Sequence, residues 1–173
     1  MQLMTPGQAL KRPFIGVEVV EKKSEQDLQK VTESYHAFRI GDIGLLIPQN
    51  IISEVADKLA YCQLPNTRAV LFGMANLRGK IIPLFDLHEL FSFAIPGGVK
   101  RKVLIIGSGE NAVAVMISEL PQRIVVSAEQ RLHNVPPMPE VLKPYLKSCY
   151  QKDGVWLDID YHGFFTSLGN QLQ

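Results

Sequence analysis

The residues able to do chemistry are few and scattered. The four histidines, His36, His88, His133 and His162, include no i,i+4 pair that would set two metal ligands on one helix face. Cys62 and Cys149 belong to no CxxC or Cys/His cluster, so their spacing makes no zinc site. An acid–base pair could start from Asp86 with His88, or from Asp158 with His162, but no nucleophile signature accompanies either. GxGxxG, GxxxxGK[ST], HExxH and GxSxG are all absent, and Gly107-Ser108-Gly109 sits between two strand-like runs, where a hairpin turn is expected. One group stands out for binding rather than catalysis. Arg78, a fixed charge with five donors, precedes Gly79 between two strongly apolar runs, on what reads as a tight turn.

The whole chain bounds what must position these groups. Its 173 residues, 46 % hydrophobic and 20 % charged, suit one soluble globular domain or two very small lobes. A net charge of +1 argues against a general polyanion binder, which needs a basic excess. Two distant cysteines read as reduced, buried or half-buried thiols of a reducing compartment. The first residues lack the apolar core of a signal peptide, and no apolar run approaches the ~20 residues of a membrane span. The expectation is a cytoplasmic protein with no direct membrane insertion.

Residues 1–34 read as an N-terminal arm. Ser24–Ser34 carries a short amphipathic helix pattern, and Phe14, Val17 and Val20 hint at a second helix. From Tyr35 the period becomes strand-like. Phe38–Ile47 alternates across Gly41-Asp42, a type II′ hairpin signal, and Ile51–Ala56 follows as another strand. Residues 65–68 make a loop before a hairpin of Val70–Leu77 and Lys80–Phe85. Pro83 should mark an edge or a bulge. Asp86 is an expected N-cap, with Glu89 three residues on, of a helix running through Phe91. Strands at Lys102–Gly107, Ala112–Ile117, Arg123–Ser127 and Val155–Ile159 complete the pattern, with a short helix over Phe164–Leu168. Many short strands separated by turn signals predict an all-β barrel or sandwich. A weak internal echo relates Leu84-Phe85-Asp86-Leu87 and Phe91 to Trp156-Leu157-Asp158-Ile159 and Phe164-Phe165.

The run from Gly73 to Asp86, with Asn76-Leu77-Arg78-Gly79 followed by a strand ending in Pro83-Leu84-Phe85-Asp86-Leu87, resembles the most recognisable stretch of the CheW-like family of chemotaxis coupling proteins. Ile51-Ile52-Ser53-Glu54-Val55 resembles that family's strand with an acidic residue, and Pro65 matches its loop proline. Ile117-Ser118-Glu119-Leu120 takes the place of a Val-Asp-x-Val, with the departure that Ser118 stands where Asp is usual. Pro136–Pro139 and Trp156–Ile159 fit the closing elements, so the likeness spans about residues 35–168. The Pro-Phe near the start, the polar segment before the first strand and Ala75 before Asn76 resemble the PilI type, which serves type IV pilus chemosensory systems.

This resemblance implies a mainly β fold of two small five-stranded barrels, lobes of about 35–90 and 99–160 within a domain over 35–170, sharing one core. It implies a scaffold without catalysis or cofactor, bridging the cytoplasmic tip of a methyl-accepting chemoreceptor and the regulatory domain of a CheA-like histidine kinase at membrane-associated arrays, for chemotaxis or twitching motility. The receptor's helical hairpin would lie in the groove between lobes, and the chain would act as a stand-alone coupler. The binding residues implied are Glu54, Val55, Asn76, Leu77, Arg78, Gly79 and Ile81. Two competing readings stay open: an enzyme with a site assembled from Asp158 or Asp86 with His88 or His162, and a small nucleic-acid-binding barrel using Arg101, Lys102 and Arg123. The second should show aromatics beside a basic groove, whereas Phe85 and Phe91 sit in apolar runs that read as core.

Overall fold

A computed structural model describes residues 32–65, 69–95 and 97–171. Most of the expected arm therefore lies outside the described residues, as does the loop at 66–68. Of the helix expected over Ser24–Ser34, the last three residues instead open a strand, β1 (Thr32–Ile40). It is followed by β2 (Ile43–Pro48), β3 (Ser53–Ala56), β4 (Ala60–Gln63), β5 (Leu71–Leu77), β6 (Lys80–Phe85) and helix α1 (Leu87–Phe91). Then come β7 (Lys102–Ile106), β8 (Val113–Ile117), β9 (Gln122–Ser127), β10 (Leu146–Gln151), β11 (Val155–Ile159) and helix α2 (Tyr161–Asn170). β4 and β10 are absent from the sequence expectation. Ala60–Gln63 is too short to show a period, and Leu146–Gln151 follows a Pro-rich crossing.

The strands form a five-stranded sheet in the order β10-β11-β2-β1-β9 and a six-stranded sheet in the order β3-β7-β8-β6-β5-β4. Two sheets of five were expected; β4 adds the sixth strand. The central strands explain the apolar runs, because both of their faces are covered. In β2, Leu45 and Ile47 enter a core shared by both sheets, while Leu46 enters a second core with Tyr35, Ala37 and Trp156. In β8, Val113, Val115 and Ile117 face the shared core, and Ala114 and Met116 join Ala75, Ile82 and Leu84 in a third. Phe164 and Phe165 of α2 complete the shared core, with Phe165 stacked on Phe85 at 5.3 Å. Each such side chain contributes about 1.5–3 kcal/mol by leaving water.

The lobes are not the halves 35–90 and 99–160. Along the chain the same succession occurs twice: a hairpin, a single strand, a hairpin and a helix, namely β1-β2, β3, β5-β6, α1 and then β7-β8, β9, β10-β11, α2. In space the leading hairpins are exchanged. β1-β2 completes the sheet of β9-β10-β11, and β7-β8 completes that of β3-β5-β6. The pairings correspond one for one, down to a parallel contact in each sheet, β11 with β2 and β6 with β8.

This correspondence corrects the echo. Asp86 follows β6 and caps α1, so its counterpart is Asp160, which follows β11, rather than Asp158 inside that strand. Pro83 sits in an interior strand and not on an edge. β6 pairs with β8 only at Leu84 and Phe85, so the ladder stops before the proline lacks a donor for it.

Candidate protein-binding site

The site is built on the β5–β6 hairpin. Its two-residue turn places Arg78 at φ 52° and Gly79 at φ 87°, both in the left-handed region a type I′ turn requires. Asn76 supports the turn, its Oδ1 accepting the Gly79 amide at 2.8 Å. The guanidinium of Arg78 then reaches across the curled sheet to β3, where Nη2 donates to Oε2 of Glu54 at 2.8 Å. Arg78 is 76 % exposed and Glu54 38 %, so the pair stands in solvent and orients the arginine more than it stabilises the fold.

The remaining residues implied by the resemblance divide by alternation. Val55 and Leu77 are half-buried, packed against the shared core and the β6–β8 core. Ile81 is 64 % exposed. It lies on the same face of β6 as Pro83 and the buried Phe85, so an apolar stripe runs from the hairpin tip into the core. Pro83 in turn lines an open cleft of about 490 Å³. Ile52, 63 % exposed, and Ile106, Val113 and Phe165 give the cleft apolar walls, and Asn50, Asn111, His162 and Thr166 give it polar ones. The sequence reading named Ile52 only within a strand and His162 only as an acid–base candidate, and it passed over Thr166. Their only signal was proximity to the exchanged hairpin ends, which topology alone reveals.

A second polar cluster is largely buried, and its Asp86 and Arg101 line a cleft of about 320 Å³. Asp86, 2 % exposed, accepts the His88 amide at 3.1 Å and is paired through its other oxygen with Arg101. The side chain of His88 is buried too, its Nε2 3.5 Å from Ser118 Oγ. The cap expected at Asp86 is present, and the ion pair makes the residue a structural centre that a cap alone would not be. Ser118, the departure from the family pattern, thus faces an imidazole.

The residues of the two competing readings are placed as follows. Asp158 is buried in β11 beside Ser148, and burial raises its carboxyl above the ordinary range, whereas His162 is exposed on α2. His88 and Asp86 face each other in the buried cluster, where Asp86 is also held by Arg101. Of the candidate nucleic-acid contacts, Arg101 is held by Asp86, Lys102 by Asp57 at 2.9 Å, and Arg123 by Ser34 at 2.8 Å. Phe85 and Phe91 are core residues. Cys149 is buried as expected, and Cys62 is exposed on β4, contrary to expectation, because β4 is an edge strand.

Residues 34–168 match the family of the CheW-like domain. The chain belongs to the CheW-like family. Among its CheW-like relatives, protein PilI of Pseudomonas aeruginosa is 24 % identical over 133 residues, covering 76 % of this chain and 75 % of that one. Chemotaxis protein CheW of Helicobacter pylori is 26 % identical over 120 residues, 69 % of this chain and 70 % of its own. The crystal structure of scaffolding protein TtCheW from Thermoanaerobacter tengcongensis superposes with a TM-score of 0.63 at 20 % identity, covering 77 % of this chain and 92 % of that one, which shows a CheW-like fold here. No helix among the described residues is long and apolar enough to cross a membrane.

Proposed function

We propose that this protein is a non-catalytic adaptor that couples a chemoreceptor to a CheA-like histidine kinase, in chemotaxis or twitching-motility signalling. The observation that carries the reading is the Arg78–Glu54 pair, held on a rigid hairpin beside an open cleft with an apolar stripe. A side chain fixed before binding loses little ordering entropy on docking. The cleft, with both apolar and polar walls, suits a helical segment laid along it, with Ile52 in its lining and Ile81 on the adjoining stripe as exposed anchors. Names of similar proteins, PilI, CheW and FrzA among them, support the pathway class.

The test is kinase autophosphorylation in the presence of receptor, with a thermal melt of each variant. Arg78→Glu sets two carboxylates against each other and should abolish receptor-dependent control while the protein stays folded. The double exchange Arg78→Glu with Glu54→Arg restores the pair with its polarity reversed. Continued loss of control in the folded double variant assigns Arg78 a direct contact with its partner, and full rescue limits it to holding the hairpin. Unchanged control by the folded single variant overturns the reading.

A further inference from the structure

Two clefts, of about 400 and 610 Å³, meet where the crossing between β9 and β10 leaves the edge of the five-stranded sheet. They share Val135 and Leu146 in their linings and so form one groove. Leu132, Pro136 and Met138 add apolar wall, and Val135 is 58 % exposed. The frame is held from β10. Arg131 forms an isolated bridge with Tyr150, the Leu132 amide donates to Cys149 O at 2.8 Å, and the Cys149 thiol donates to the carbonyls of Leu132 and Asn134. The charge of the groove is one-sided. Arg131, Lys143 and Lys147 line it against the single carboxylate of Glu140, which Lys143 already engages. Arg131 and Lys147 are exposed, and neither forms an ion pair among the described residues. A register shift between Leu146 and Ser148 leaves Lys147 in a bulge of β10. The carboxyl of Asp158 feels both cations, but burial raises it above the ordinary range and weakens it as a counter-charge. In a chain of net charge +1 this is a local excess, and cations beside exposed apolar surface are complementary to an acidic, partly apolar partner.

We propose that this groove docks a short acidic segment of a partner protein, its carboxylates on Arg131 and Lys147 and an apolar side chain against Val135 and Leu146. Arg131 offers a planar fork for paired contacts to a carboxylate, and Lys147 adds a point charge. Because the backbone of residues 131–134 is already tied to β10, little of the groove has to be ordered on docking. A nucleic acid fits less well, since the lining holds no aromatic ring on which a base could stack. The groove shares no lining residue with the cleft beside Pro83, so the inference does not rest on the adaptor reading.

The experiment uses the full chain and a short labelled peptide of glutamates around two leucines, followed by fluorescence anisotropy. The peptide should bind at low salt and release as salt rises. A peptide with lysine for glutamate should not bind, and one with serine for leucine should bind more weakly. Arg131→Glu and, separately, Lys147→Glu should each weaken binding by about tenfold or more, and Val135→Ser should weaken it less, all with unchanged melting temperatures. Lys58→Glu, a charge reversal at an exposed position outside the groove, should leave the affinity as it is, and so should Arg78→Glu. No binding at low salt overturns the inference, as does a loss on Lys58→Glu equal to that on Lys147→Glu, or equal binding of the serine peptide. Capture by phosphatidylserine vesicles in place of the peptide would give the face to a membrane. Self-association abolished by the same groove variants would give it to a second copy of the chain. Either result overturns the inference too.

Discussion

The two sheets repeat one plan and close it with different chemistry. In each, the turn of one hairpin sends a long cationic side chain across to the edge strand opposite. In the six-stranded sheet it is Arg78 to the carboxylate of Glu54; in the five-stranded sheet it is Lys152 to the backbone carbonyl of Val125. The lysine latch uses a point charge on an acceptor that every residue offers, and serves closure alone. The arginine latch uses a planar fork on a carboxylate and leaves most of the guanidinium in water. The same contrast recurs at the helices. Asp86 caps α1 and is paired with a largely buried arginine, whereas Asp160 precedes α2 without a side-chain cap bond. Duplicated architecture leaves each copy free to place its polar groups for a different end.

The largest effect that would sharpen this comparison is expected at the two aspartates. Asp86→Ala strands Arg101 in a buried site and should cost about 3–5 kcal/mol in denaturant unfolding, more than the ~0.5–2 kcal/mol of a lost cap. Asp160→Ala should stay within about 0.5 kcal/mol. Equal losses would mean the two helix starts are equivalent after all.

The turns come next. Gly154, at φ 126°, lies where side chains are rarely tolerated, and an added Cβ would meet Arg39, which is stacked 4.3 Å over Trp156. Gly79, at φ 87°, has nothing within 4 Å of an added Cβ. Gly154→Ala should therefore cost about 2–3 kcal/mol and Gly79→Ala about 1 kcal/mol, read from midpoints at a common slope.

A third test uses pH. Burial holds the Asp158 carboxyl above the ~3.9 of an unfolded chain, so its contribution is complete below that value and is lost as pH rises through the folded one. Asp158→Asn should remove this loss, raising the melting temperature at pH 7 and leaving it unchanged near pH 3. A lower melting temperature at pH 7 would mean that the charge is held by its neighbours.

The smallest effects should come from the latches. Arg78→Ala and Lys152→Ala are each expected to change stability by less than about 1 kcal/mol, since exposed charges are weakly held. Only Arg78→Ala should alter kinase control. If Lys152→Ala did so equally, the division of labour between the sheets would fail.

What the sequence determined about this protein is local. The Gly41-Asp42 and Arg78-Gly79 turns, the cap at Asp86 and the two-sided apolar runs of the central strands follow from residue types within a few positions, because backbone geometry is set by neighbours. The Arg78 motif was legible for the same reason, and with it the family. The echo between the halves was legible but out of register by two residues, since Asp158 and Asp160 look alike until a strand and a cap separate them. Tertiary structure alone decided the rest: that the leading hairpins are exchanged, that Glu54 meets Arg78 across 24 residues, that Asp86 meets Arg101 and that Ile52 shares a cleft with α2. Each of these depends on which apolar face covers which. That choice belongs to the whole core and not to any segment of the chain.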